Sequence, residues 1–139
     1  MVVKTNTINL NTKGNVDILD ITDHVSRVVV ESGLRNGVVT VFTPSATSGL
    51  TTIEYESGCI SDLRRLFDEI IDPGRHYAHN ARWGDGNGHS HIRAALIGPS
   101  FSVPFVNSRL TLGTWQQIIF VDFDNRSRRR DLVIQMIGE

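Results

Sequence analysis

Residues 38–71, VVTVFTPSATSGLTTIEYESGCISDLRRLFDEII, decide the fold class because they contain strand-like and helical patterns in succession. The short apolar run Val38–Phe42 lies between a glycine and a proline, which predicts a strand buried on both faces. After the polar loop Ser45–Gly49, the run Thr51–Tyr55 is expected to continue the same sheet.

The segment Gly58–Ile71 gives the strongest helical signal. Apolar residues recur there at helical spacing, and charged residues occupy the opposite face. Asp72-Pro73-Gly74 ends the helix, because proline lacks a backbone donor and disfavours helix in the residue before it. Strands and at least one long helix therefore occur in close succession.

Two strands and a helix are predicted ahead of this stretch. Val2–Leu10 and Val16–Asp20 have β-like composition and are separated by a turn, which predicts a hairpin. Thr22 or Asp23 is expected to cap a helix that ends near Gly33, where glycine suits a left-handed terminus.

After the long helix, Arg75–Gly88 lacks a periodic apolar pattern and is predicted to be a functional loop. His89–Ile97 is expected to form a short helix. Further strands are predicted at Phe101–Val106, Leu110–Leu112, Trp115–Asp124 and Asp131–Ile137. The sequence thus predicts one α+β domain over residues 1–139, with about three helices.

Composition excludes several classes of partner. The formal net charge of −1 gives no global attraction to nucleic acid, and no apolar run approaches the roughly 20 residues that span a bilayer. The start of the chain does not resemble a signal peptide, and a cytoplasmic protein is expected. The basic run Arg126–Arg130 is interpreted as a charged hairpin with surface ion pairs.

Four of the five histidines lie within residues 76–91. Imidazole is a common ligand for divalent metals, so one interpretation is a mononuclear metal site holding zinc or magnesium, without an organic cofactor. The other is acid–base or hydrogen-bonding chemistry without metal. On a helix His89 and His91 point about 200 degrees apart, so we pair His79 with His91. His89 is assigned a capping, orienting or secondary ligand role.

Gly84, Gly86 and Gly88 surround Asp85 and Asn87, so this backbone is expected to adopt positive φ angles. Such amides can cradle a phosphate, but alternating glycines also form ordinary tight turns, which is the simpler interpretation.

Several other residues are candidates for the site. Ser45 and Thr47 supply hydroxyls that suit a polar ligand. Glu54 is a candidate base if its strand face, shared with Thr52 and Glu56, turns toward the histidines. Trp115 is expected in the core, whereas Gln116 offers a directional amide. Cys59 is interpreted as a small buried residue, although the helix dipole could lower its pKa.

Glu54 after a Thr-rich loop, Tyr77-x-His79, the His91 helix ending in Leu-Ile-Gly-Pro-Ser, and Leu112–Gln116 together resemble the YjbQ-like, or secondary thiamine-phosphate synthase, family. The resemblance implies a sandwich of mixed, mainly antiparallel sheets, assembled as a homotrimer with polar pockets near subunit contacts. It also implies an enzyme that joins a pyrimidine diphosphate to a thiazole phosphate. A non-catalytic trimer that binds a metal or a phosphorylated metabolite is the alternative.

The resemblance and the residue patterns together define the predicted site. The catalytic candidates are His79, His91 and Glu54. The substrate-binding candidates are Ser45, Thr47, Asp85, Asn87, Arg93, Trp115 and Gln116, and the metal candidates are His79, His89 and His91. Many relatives have a histidine and an asparagine where this chain has Ser45 and Ile53, and His89 is expected to compensate.

Overall fold

The computed structural model describes all 139 residues, which form eight strands and four helices. The strands are β1 (Val2–Thr12), β2 (Asp17–Asp20), β3 (Gly37–Phe42), β4 (Ser48–Ile53), β5 (Ser100–Val106), β6 (Arg109–Leu110), β7 (Gln117–Asp122) and β8 (Arg128–Gly138). The helices are α1 (Thr22–Ser32), α2 (Ser57–Ile70), α3 (Ala78–Trp83) and α4 (Gly88–Ile97). None of them combines the length and the hydropathy of a membrane-crossing helix.

Two antiparallel sheets form the framework. The larger sheet has the order β1-β8-β3-β5-β6, and the smaller has the order β2-β7-β4. Every strand pair in both sheets is antiparallel. The predicted α+β sandwich with about three helices is confirmed, and the fourth helix is the six-residue α3.

Strand β7 lies at the centre of the protein because both of its faces are buried. Ile118 and Phe120 belong to the core cluster shared with the larger sheet and α1. Ile119 and Val121 belong to the cluster shared with α2 and α4. Each such side chain, when fully buried, contributes about 1.5–3 kcal/mol. The layers are therefore the larger sheet with α1, the smaller sheet, and α2 with α4.

Strand β3 is buried on one face only, so the prediction of two buried faces was wrong. Val39 and Val41 lie in the first core cluster, whereas Val38 and Phe42 are 44% and 40% exposed. The fully buried strand is β7 instead. A continuous apolar run occurs both in strands buried on one face and in strands buried on two. The run alone does not show whether another layer covers its outer face.

The predicted hairpin between Val2–Leu10 and Val16–Asp20 was wrong. Strand β1 pairs with β8 in the larger sheet, and β2 pairs with β7 in the smaller sheet. Gly14, Asn15 and Val16 between them have φ angles of 76°, 53° and 63°, and the chain passes there from one sheet to the other. Strand β4 likewise pairs with β7 and does not continue the sheet of β3.

Helix α1 confirms the predicted first helix, and Gly33 ends it in a left-handed conformation at φ 74°. The predicted capping by Thr22 or Asp23 was wrong, because neither side chain caps the helix. The carboxylate of Asp20 accepts the backbone N–H of Thr22 at 3.0 Å instead.

Helix α2 confirms the helix predicted over Gly58–Ile71. Its start is fixed by Glu56, whose two carboxylate oxygens accept the backbone N–H groups of Gly58 and Cys59 at 2.7 and 2.8 Å. These bonds, from Cys59 first and then Gly58, hold the pKa of Glu56 below its ordinary value. Glu56 is thus a helix cap rather than part of a strand face.

Helix α3 lies inside Arg75–Gly88, so the prediction of a continuous loop was wrong there. A helix of six residues is too short to show an apolar period, and none of its side chains is buried. Gly84 ends it in a left-handed conformation at φ 65°. Gly88 serves close packing, since a Cβ on it would lie 2.6 Å from the Cβ of Tyr77.

Candidate functional site

His79 and His91 lie side by side at the junction of two helices. Helix α3 carries His79, helix α4 carries His91, and their ring centroids are 4.4 Å apart with an interplanar angle of 38°. The structure therefore brings together the two histidines that the sequence pairs. We call them the histidine pair.

The carboxylate of Asp85 lies beside the histidine pair. Its Oδ1 is 3.2 Å from Nδ1 of His79 and also accepts the backbone N–H of Asn87 at 3.2 Å. The Nδ1 atom is buried but makes no hydrogen bond, because its N–H direction misses the carboxylate despite the short distance.

A cavity of about 300 Å³ opens beside His91. One wall is the loop between β3 and β4, which contributes Ser45, and the other is α4, which contributes His91 and Ala94. Strand β4 packs tightly on α4, since a Cβ on Gly49 would lie 2.7 Å from the side chain of Ile97. This contact holds the loop between β3 and β4, residues 43–47, next to His91. We call this segment the serine loop.

A buried group of opposite charges lies next to that loop. Asp122 and Asp124 are 0% and 1% exposed. Arg130 Nε donates to Asp122 at 2.8 Å, and Arg128 Nη2 lies 3.2 Å from Asp124. We call these four residues the aspartate–arginine cluster. The predicted surface ion pairs of the basic run were wrong for these two arginines, because strand alternation turns them inward and leaves Arg129 outside.

Thr47 and Asn87 are tied into this cluster. The Thr47 hydroxyl donates to Asp124 at 2.9 Å and accepts from Arg130 at 2.8 Å. The side-chain oxygen of Asn87 accepts the backbone N–H of Asn125 at 3.2 Å. Burial raises the pKa of Asp124, but the Thr47 hydrogen bond and the charge of Arg128 outweigh it, so the pKa is lowered. The cluster thus positions the serine loop and the start of α4.

His89 and Arg93 lie away from the histidine pair. Both line a separate cavity together with Asp68, and Arg93 donates to Asp68 at 3.0 Å and to the carbonyl of Ile71. Burial and then the charge of Arg93 lower the pKa of His89. His89 and His91 therefore open into different cavities.

The structure does not bring Glu54 to the histidine pair within one chain. Strand β4 ends at Ile53, and Ser48 and Ile53 at its two ends are about 16 Å apart at the rise of an extended strand. Glu54 follows the end that is remote from the serine loop. The prediction that Glu54 shares a strand face with Thr52 and Glu56 was wrong, because the strand has already ended.

Trp115 and Gln116 lie at the same remote end. Trp115 is 72% exposed, so its predicted core position was wrong. Gln116 donates to the hydroxyl of Thr52 at 3.3 Å and accepts the backbone N–H of Gly113 at 3.1 Å. Glu54 and the Trp115-Gln116 pair therefore form a second polar region, apart from the histidine pair.

One chain does not supply a complete set of metal ligands. No group of three histidine, cysteine, aspartate or glutamate side chains converges in the structure. The histidine pair offers nitrogen ligands that suit zinc better than magnesium, but zinc sites usually have three or four protein ligands. Cys59 is partly buried, and burial raises the pKa of its thiol, which is opposite to the effect of a helix dipole.

The aspartate–arginine cluster is the part of the site that the sequence analysis missed. Its signal is present in the sequence, because Asp122 and Asp124 follow an apolar strand two residues apart. Arg128 and Arg130 have the same spacing at the start of the next strand. Matched charges with the two-residue period of a strand indicate an inward-facing ion-pair group.

The fold and the site define a class: a two-sheet α+β protein with a histidine pair between short helices. The chain matches the family model described as UPF0047 protein YjbQ-like over residues 6–139. A UPF0047 protein of Archaeoglobus fulgidus is 40% identical over 91% of this chain and 96% of its own length. The UPF0047 protein YugU of Bacillus subtilis is 34% identical over 95% of this chain and 98% of its own length.

Solved structures agree with this match. A hypothetical protein from Aeropyrum pernix superposes with a TM-score of 0.90 at 32% identity, covering 98% of this chain and 99% of that one. A YbjQ-like protein of unknown function from Sulfolobus solfataricus gives 0.89 at 28% identity, covering 99% and 100%. This protein belongs to the YjbQ-like UPF0047 family, which confirms the resemblance found in the sequence.

Proposed function

We propose that the protein is an enzyme that acts on a small phosphorylated metabolite at the histidine pair. The observation that carries this proposal is the 4.4 Å separation of the His79 and His91 rings beside a cavity that holds Ser45. Two imidazoles in contact, with a carboxylate beside one of them, can exchange a proton with a bound substrate.

The two histidines have different surroundings. The carboxylate of Asp85 lies 3.2 Å from Nδ1 of His79, which favours the tautomer with its proton on Nδ1. His91 has no carboxylate partner and faces the cavity. The carboxylate therefore orients His79, and His91 is the imidazole that meets a substrate in the cavity.

The family resemblance supports a specific reaction. In it, the thiazole nitrogen attacks the methylene carbon of a pyrimidine diphosphate, the carbon–oxygen bond breaks, and diphosphate leaves with the bonding electrons. Proton or hydrogen-bond donation from the histidine pair would stabilise the leaving diphosphate, and the hydroxyl of Ser45 offers a further donor to it.

We further propose that the site is completed in a homotrimer. Glu54, Trp115 and Gln116 can reach the histidine pair only from another copy of the chain. The outer face of the larger sheet supports assembly, since Val3, Ile137 and Val38 are direct cross-strand neighbours and are 60%, 46% and 44% exposed. Covering such a row removes apolar surface from water.

The activity test uses the thiamine precursors as substrates. His79→Ala and His91→Ala should each lower turnover at least about 100-fold if the pair performs acid–base chemistry, and His24→Ala, an exposed histidine on α1, is the matched control. Turnover that stays unchanged in folded His79→Ala and His91→Ala variants would refute the proposal. Binding of the substrates without turnover by the native protein would instead indicate the non-catalytic alternative.

A separate test concerns the metal. Ser45 lines the same cavity as His91, so Ser45→His adds an imidazole where relatives have one. We expect this variant to bind zinc at least about tenfold more tightly than the native protein, measured by calorimetry on untagged protein. Thr114→His, outside the cavity, is the control. Equal zinc affinity in both variants would show that the cavity is not a metal site.

A further inference from the structure

On the other side of helix α4 lies a second cavity, of about 260 Å³, which the proposed reaction does not use. It is lined by two arginines and a histidine, namely Arg64, Arg93 and His89, and by one acid, Asp68. Asn15 and Val16 close its far side. The histidine pair does not line this cavity, so the two openings are distinct.

The basic side chains retain donors that the protein itself does not use. Arg93 is 3% exposed at its side chain and donates through Nε and Nη2 to the carbonyl of Ile71 and to Asp68, while Nη1 makes no hydrogen bond. His89 is 8% exposed and its buried Nδ1 has no partner. A buried imidazole nitrogen without a partner is rare unless it faces a ligand or water.

Arg64 is held at the rim by an unusual piece of backbone. Its Nε donates to the carbonyl of Val16 at 3.2 Å, which leaves both terminal nitrogens free. Val16 is β-branched and has a φ of 63°, a conformation that such residues rarely adopt. The surrounding structure therefore holds Val16 in a conformation that valine disfavours. The Val16 carbonyl in turn fixes the guanidinium of Arg64 beside the cavity.

From these contacts we infer that the cavity binds an oxyanion of the phosphate class through Arg64, Arg93 and His89. Arginine suits this role because its planar donors match the oxygens of a phosphate. The cavity has room for inorganic phosphate or for the phosphoryl group of a small metabolite. Asp68 opposes binding, and its 67% exposed side chain can turn away from Arg93 when the anion enters.

Titration with inorganic phosphate, followed by backbone amide NMR shifts, tests the inference. The largest shifts should fall at residues 15, 16 and 89. Arg64→Gln should weaken binding about tenfold, whereas Asp68→Asn should tighten it by a similar factor. The matched control is Arg65→Gln, because Arg65 is the neighbouring arginine of α2 and pairs only with the exposed Asp62 and Glu69.

Two further variants keep the outcomes distinct. Arg64→Lys retains the charge and should bind phosphate more tightly than Arg64→Gln, which separates charge from loss of the Val16 contact. His91→Ala should leave phosphate binding unchanged even if turnover is lost. The inference is overturned if binding does not saturate, if Arg64→Gln and Arg65→Gln behave alike, or if His91→Ala abolishes binding.

Discussion

The aspartate–arginine cluster and the histidine pair lie on either side of one loop, yet they differ in how their polar atoms are used. In the cluster, Arg130 makes hydrogen bonds to both aspartates and to Thr47, and of the buried polar atoms only Asp124 Oδ1 and Arg128 Nε have no partner. In the histidine pair, neither ring makes a hydrogen bond, and His79 Nδ1 is buried without a partner. Paired opposite charges stabilise a fold, whereas imidazoles without hydrogen bonds beside a cavity are available to a ligand.

The largest expected effect comes from removing Arg130. Arg130→Met would leave Asp122 and Asp124 buried with fewer partners, and breaking a buried ion pair costs about 3–5 kcal/mol. Urea denaturation should show this loss in the free energy of unfolding. Arg129→Ala, an adjacent arginine with a 72% exposed side chain, should change it by less than about 0.5 kcal/mol. Equal losses would mean that the cluster does not stabilise the fold.

The loop between β3 and β4 offers a second comparison, because Thr47 belongs to the cluster and Ser45 lines the cavity of His91. Thr47→Val should lower the free energy of unfolding by about 1–3 kcal/mol, since Asp124 and Arg130 each lose a partner. Ser45→Ala should have a smaller effect, about 0.5 kcal/mol, because Ser45 makes only long contacts of 3.2 and 3.5 Å to Thr47. Thermal or urea unfolding of the two variants measures both losses. A larger loss for Ser45→Ala than for Thr47→Val would contradict the prediction.

Removing either histidine of the pair should affect stability less than removing Arg130 or the Thr47 hydroxyl. His79→Ala and His91→Ala delete side chains that donate no hydrogen bond and are not fully buried, so each should cost at most about 1 kcal/mol. Circular dichroism melting measures this directly. A loss as large as that of Arg130→Met would place the histidines among the structural residues and would weaken the proposed function.

The sequence predicts where helices and strands lie better than which strands pair with each other. The helices α1, α2 and α4 follow from apolar spacing and from the glycine or proline that ends them, and the structure places His79 beside His91. The sheet assignment of β2 and β4 does not follow from local patterns, because both pair with β7, far along the chain. Similarly, Trp115 is apolar but exposed, and the residues next to it in the sequence do not indicate whether its side chain is buried or exposed.

Glu56 provides the smallest test, since it is a carboxylate satisfied by backbone amides yet exposed. Its pKa is lowered by the N–H groups of Cys59 and Gly58, so the folded state favours the charged form. Its stabilising effect is complete above the ordinary value of 4.5 and is lost as the pH falls through the lower folded pKa. Glu56→Gln should therefore be less stable than the native protein above about pH 5, and this difference should shrink toward about pH 3.

Urea midpoints measured across that range check the Glu56 prediction. Glu31→Gln is the control, because Glu31 is also exposed but lies within α1 and caps no helix. A Glu56→Gln deficit that is independent of pH would mean that the side chain acts through its shape rather than its charge. In that case, charged side chains that have partners would stabilise this protein through their charge only where they are also buried, as in the aspartate–arginine cluster.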